Sequence, residues 1–223
     1  MGFFSKLFGG EEKPQPPPLD LKPVSEMLDE DRYWQLIHET RELSGGDQGR
    51  QEDLLVAALE KLPPKDIVGF RLRTDKLLFD TYDQHLWCAG YIMNGGLSDD
   101  GFEYFRLWLI DQGREVYERA KADPDSLADY EPDVDPDIGY DFETLSYVAD
   151  KAFENKTGGH WLYEYIDGEN FPFRAGDYPE LQFTWQEDDP DSMRRLCPNL
   201  MAKYGEASAQ PLTLINSTPG KDA

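Results

Sequence analysis

The run from Tyr91 to Ala120, YIMNGGLSDDGFEYFRLWLIDQGREVYERA, constrains the fold more than any other, because a glycine turn, an acidic helix start and an aromatic helix follow without a break. Asn94, Gly95 and Gly96 suit the positive backbone angles of a tight reversal, and Ser98, Asp99 and Asp100 suit a helix start, where free amides need acceptors. Asp100 with Glu103 approximates a capping box. Phe102, Phe105 and Leu109 share a helical face with Trp108 beside them, and Gly113 marks a stop before Arg114 begins a further turn. Rings at that density require burial, so a core helix packed on the one before it is expected.

Punctuation organises the rest. Asp31 is placed to cap a first helix to about Leu43, with Tyr33, Trp34, Ile37 and Leu43 on its buried side. A second is expected from about Gln51 to Leu62. Pro63 and Pro64 then open a third from Lys65, striped by Ile67, Phe70, Leu77, Leu78 and Tyr82, and a fourth covers Gln84 to Met93. Leu145, Val148, Ala149 and Phe153 return to helical spacing between Phe142 and Asn155, closed by Thr157 to Gly159. Leu162, Tyr163, Tyr165 and Ile166, then Asp167-Gly168, then Phe171 and Phe173 read as a small hairpin, with Pro172 on an edge and Leu181 to Trp185 as a third short strand. A last helix is expected from Asp191 to Tyr204, ended by Gly205. The fold class is therefore mainly α, a multi-helix bundle with a small β-hairpin insertion near residues 161–185.

Four segments resemble one bacterial family: DEDRYWQLI from Asp29, the run from Tyr91 continued through KADPDSLAD, FETLSYVADKAFENKTG from Phe142, and WQEDDPDSMRRLCPNLMAKYG from Trp185 to Gly205. They are similar to the Domain of Unknown Function 4240 family over about residues 29–205. The resemblance implies a single domain and carries over no residue roles. The amino-terminal extension and the segment from His160 to Phe183 depart from the family's usual plan.

Outside that domain, MGFFSKLFGG places Phe3, Phe4, Leu7 and Phe8 at helical spacing, followed by a Pro-rich linker over 11–28. Residues 1–10 read as a docking element for a partner's groove or for weak peripheral membrane contact. Residues 206–223 read as a mobile polar tail. No stretch approaches membrane-spanning length and no cleavable signal peptide is visible, so a cytoplasmic, membrane-peripheral location is expected.

Charge bears most on function. Asp and Glu number 45 against 22 Lys and Arg, a net charge of −23, which repels nucleic acid and favours a basic protein partner. From Asp123 to Asp150 there are ten acidic residues and no lysine or arginine. Asp133, Asp135, Asp137 and Asp141 alternate as in a calcium loop, yet Ile138 stands where that loop needs glycine and Thr144 where it needs glutamate, so no metal is expected. Asp129, Glu131, Asp133, Asp135, Asp137 and Asp141, with the rings of Trp161, Tyr163 and Tyr165, are the candidate binding residues.

Catalytic motifs are missing: His38, His85 and His160 are far apart in sequence, and no phosphate loop, dinucleotide fingerprint or nucleophile motif occurs. Cys88 and Cys197 read as two buried thiols. No cofactor is expected. The function expected is a non-catalytic acidic protein that binds a basic partner such as a toxin, in the manner of an immunity or antitoxin-like inhibitor. The alternative is an enzyme of unknown chemistry, its site combining Asp99, Asp100, Glu103 and Arg106 with Tyr91 and Trp108.

Overall fold

A computed structural model describes residues 16, 18–132, 138–174 and 177–208. The expectations for residues 1–10, for Asp133, Asp135 and Asp137 and for the chain beyond Ser208 lie outside them. The described residues are mainly helical: α1 Glu30–Ser44, α2 Gln48–Leu59, α3 Pro64–Asp80, α4 Gln84–Asn94, α5 Asp99–Asp111, α6 Arg114–Ala122, α7 Val148–Thr157, α8 Pro190–Leu196 and α9 Pro198–Ser208. Short 3-10 turns fill Pro124–Asp129, Glu143–Tyr147 and Leu162–Tyr165. No described helix is long and apolar enough to cross a membrane.

Helix starts follow side-chain chemistry. Asp29, Asp47, Asp83 and Ser98 accept from the amides of Arg32, Arg50, His85 and Gly101 at 2.8–3.1 Å. The cap of α1 is thus Asp29 rather than Asp31. Ser98 alone caps α5, while Asp99 and Asp100 stand exposed in its first turn, their charge facing the positive end of the helix. Gly95, at φ 67°, returns its amide to the Tyr91 carbonyl and ends α4 in the left-handed conformation the turn requires.

The central element is α5, which touches α1, α3, α4 and α6. Its Phe102, Phe105, Leu107, Trp108, Leu109 and Ile110 are all buried, and from Phe105 onward the helix is enclosed all round rather than along one stripe. Helices α2 and α3 pack on α7, and α4 packs on α9. Tyr33 shares a hydrogen bond with Thr74 inside this core, and Tyr117 donates to the Leu77 carbonyl at 2.7 Å. Cys88 and Cys197 are both buried and unbridged, as expected.

Several expectations need correction. Leu43 is 61% exposed, because the buried face of α1 runs through Tyr33, Ile37, Thr40 and Ser44 and leaves Leu43 to one side. The hairpin is absent: no strand occurs among the described residues, and the β contacts are two isolated bridges, Val24 with Ile166 and Gln186 with Asp189. Residues Leu162–Tyr165 form a 3-10 turn that buries Leu162, so apolar residues read as alternating follow a period of three. The expected third strand instead satisfies its polar groups on α4, where Thr184 N donates to Gln84 Oε1 and Trp185 Nε1 to the Gln84 carbonyl. The last helix is two, divided at Cys197-Pro198, and Gly205 lies within α9 rather than ending it. The second half of the segment read as a linker is packed, with Leu19, Leu21, Val24, Met27 and Leu28 against the core. Val24 N donates to the Tyr165 carbonyl and Leu28 N to that of Gly69, both at 2.8 Å, so residues 19–28 form an extended strap.

Candidate functional site

Arg71, Asp75 and Leu78 recur at i, i+4 and i+7 along one face of α3. That face, with Glu103 of α5 and Tyr163, Ile166, Phe173, Arg174 and Tyr178 of the irregular segment, encloses a cleft of about 230 Å³. Arg71 organises its inner wall. Nε donates to Asp75 Oδ1 at 2.8 Å and Nη1 to the Ser146 carbonyl at 3.0 Å, while Asp150 Oδ2 lies 3.6 Å from Nη1. The Tyr163 ring covers the guanidinium at 5.2 Å, and its hydroxyl donates to Asp150 Oδ2 at 3.3 Å. On the opposite wall Tyr178 stacks on Tyr82 at 4.2 Å and accepts from Arg106 Nη1.

Burial dominates the electrostatics. It pushes the Asp75 carboxyl above the usual carboxylate range, Arg71 opposes the rise, and Glu103 and Asp150 add to it. Asp150 is raised by the same cause against the same guanidinium. Burial also works against the charge on Arg71, yet Asp75, Tyr163 and Asp150 outweigh it and hold the guanidinium charged. The Tyr163 phenol is pushed up to about 12, first by burial. Asp150 Oδ1 is buried with no hydrogen bond among the described residues.

The sequence-predicted residues divide. Tyr163 walls this cleft; Trp161, 63% exposed, meets its ring at 5.4 Å. Tyr165 turns inward, with its ring against Phe153 and its hydroxyl 2.8 Å from His160 Nδ1. Asp129 and Glu131 lie elsewhere, beside Arg119 of α6 and Lys203 of α9, both carboxylates largely exposed. Asp141 takes the Glu143 amide at 3.0 Å and so shapes a turn. Asp133, Asp135 and Asp137 are outside the described residues, among which no group of three or more His, Cys, Asp or Glu could hold a metal.

A family model described as a protein of unknown function (DUF4240) matches residues 28–155. The chain belongs to that family. No curated protein and no solved structure matches it. The DUF4240 region contributes Arg71, Asp75, Leu78, Glu103 and Asp150, so the cleft's carboxylates lie within it. The rings that wall the cleft, Tyr163, Phe173 and Tyr178, come from beyond it.

The residues of the enzyme alternative do not converge. Asp99 and Asp100 open on a separate groove with Trp87, Phe183, Trp185 and Glu187, whereas Glu103 faces the α3 cleft. Arg106 and Trp108 are 1% and 3% exposed in the core, and Tyr91 is half-buried against Trp185.

Sequence reasoning passed over Arg71, Asp75, Asp150 and Tyr178. A signal existed for the first two: an Arg-Asp pair at i, i+4 directly beside the apolar stripe of Ile67, Phe70 and Leu78, where a solvent-facing pair would sit on the far side. Nothing in the local sequence pairs Asp150 or Tyr178 with α3.

Proposed function

We propose that this DUF4240 protein is a non-catalytic acidic interaction protein that binds a basic protein partner, with an immunity or antitoxin-like inhibitor as the form such a role takes. One observation carries the reading: Trp161 stands 63% exposed, in ring contact with Tyr163, and Tyr163 lines the cleft containing Asp75 and Glu103. A large exposed ring beside partly desolvated carboxylates is the composition of a binding hot spot, where the aromatic supplies buried area and charge selects the partner. The net charge of −23 adds long-range steering of a basic protein. The acidic stretch containing Asp129, Glu131, Asp133, Asp135, Asp137 and Asp141 contributes to that net charge.

The test is capture of proteins from the native lysate on the immobilised full chain at low and high salt, with wild type and Trp161→Ser in parallel. A basic protein should be retained at low salt, released at high salt and lost with Trp161→Ser, while that variant melts as wild type does. The reading fails if nothing salt-sensitive is retained, or if Trp161→Ser retains the same protein equally well.

A further inference from the structure

We propose that the cleft between α3, Glu103 and the rings of Tyr163, Phe173 and Tyr178 is a receptor for a single basic side chain, an alkylguanidinium or alkylammonium inserted by the partner. The inference rests on the reading above and names the contact that the partner makes.

Its basis is an imbalance of hydrogen-bonding capacity. Arg71 and Arg106 are engaged: Arg71 bonds to Asp75 and the Ser146 carbonyl, and Arg106 to the carbonyls of Phe102 and Leu78 and to Tyr178. Arg174, its side chain 52% exposed, makes one side-chain bond among the described residues, to Asp177 at 3.4 Å. Two carboxylates are less fully met. Glu103 has no hydrogen bond or ion pair among the described residues. Asp75 is 9% exposed and offers Oδ1 to Arg71, while its Oδ2 takes no bond among them. Asp150, whose Oδ1 is buried without a bond among the described residues, does not line the cleft but stands beside Arg71, its Oδ2 3.6 Å from Nη1. A ligand that satisfies such a site brings donors and positive charge, and brings no carboxylate.

Shape agrees with the chemistry. A cleft of about 230 Å³ walled by Tyr163, Phe173 and Tyr178 suits the slender apolar stem of a basic side chain. The fold already sets a basic side chain against one of these rings, where Lys76 Nζ sits 4.6 Å over Phe173. Trp161, exposed and in contact with the Tyr163 ring, then offers apolar area to the backbone that carries the side chain. Repulsion among Asp75, Asp150 and Glu103, which helps to raise the Asp75 pKa, would be relieved by the incoming cation.

The experiment titrates capped tripeptides with arginine, lysine or norleucine at the centre, and putrescine, into the full chain, following backbone amide shifts by NMR. The basic tripeptides should give saturable shifts within 71–78, at 103 and within 163–178, and the norleucine peptide none there. Glu103→Gln, which removes charge without removing any side-chain bond among the described residues, should weaken the basic tripeptides about tenfold without lowering the melting temperature. Equal shifts from norleucine, no saturation, or no effect of Glu103→Gln would each overturn the inference. Putrescine binding as tightly as the tripeptides would overturn the assignment to a partner's side chain. Capture of a basic protein in a Trp161-dependent manner without these shifts would leave the binding function standing and remove the receptor cleft.

Discussion

Arg106 donates from Nη1 to the carbonyl oxygen of Leu78 at 2.6 Å, fastening the central helix to the last turns of α3 through a side chain only 1% exposed. No carboxylate pairs with this guanidinium among the described residues. It is held by carbonyls, by the Tyr178 hydroxyl and by the rings of Phe102, Tyr178 and Tyr82 at 4.5–5.2 Å. The Leu78 carbonyl lies near the C-terminal end of α3, where the helix dipole favours a cation. Arg106→Met keeps most of the volume and leaves that carbonyl without its charged donor. It should cost about 2–4 kcal/mol, read as a lower urea midpoint with an unchanged slope. A midpoint equal to wild type would show that the guanidinium adds nothing net to stability.

Asp125 performs a comparable task for α9. Its carboxylate accepts from Asn199 N, Asn199 Nδ2 and Leu200 N at 2.8–3.1 Å, capping that helix from a separate part of the chain. Asp125→Ala should destabilise by about 1–3 kcal/mol and raise amide exchange in α9 before α5. Uniform exchange across both helices would contradict the local role.

Gly69 is where the strap meets α3. A Cβ there would lie 2.8 Å from Leu28 N and 3.1 Å from the Glu26 carbonyl oxygen, both backbone atoms with little room to move. Gly69→Ala should therefore loosen residues 19–28, although alanine is the better helix former. Limited proteolysis should cut the strap faster in the variant. Unchanged cleavage would mean that the strap accommodates a methyl group.

Asp111 supplies a pH dependence. Burial lifts its carboxyl from 3.8 to about 6, against the opposing Arg41 guanidinium and the bond from Gln51. Between those values the folded chain holds a proton that the unfolded chain has released, so stability falls as pH rises through that window and is level above it. The change from this group is on the order of 2–3 kcal/mol. Asp111→Asn should flatten that part of the urea midpoint profile between about pH 4 and 6. A profile parallel to wild type would place the titration elsewhere.

The starts of α4 and α5 were legible because Asp83 and Ser98 act on amides within three residues of themselves, so the sequence states them directly. Those of α1, α2 and α8 were less so, since Asp29, Asp47 and Asp189 stand among other polar residues that could serve as caps. Family membership was legible too, since it rests on contiguous runs. The irregular segment misled because its apolar residues answer to distant contacts: Val24 to Tyr165, Gln84 to Trp185, Phe79 to Phe173. Of the candidate binding residues, Tyr163, named for its place in an aromatic-rich segment, lines the α3 cleft, while Arg71 and Asp75 were hidden in a helix read only for its apolar stripe.

By itself, then, the sequence determined a mainly helical, strongly acidic domain built around one aromatic helix, because caps, helical period and net charge are local or additive quantities. Only the tertiary structure decided that Arg71, Asp75, Glu103 and Tyr163 share a cleft while Asp99 and Asp100 face another, because bringing together residues as far apart in sequence as Arg71 and Tyr163 depends on how whole helices pack.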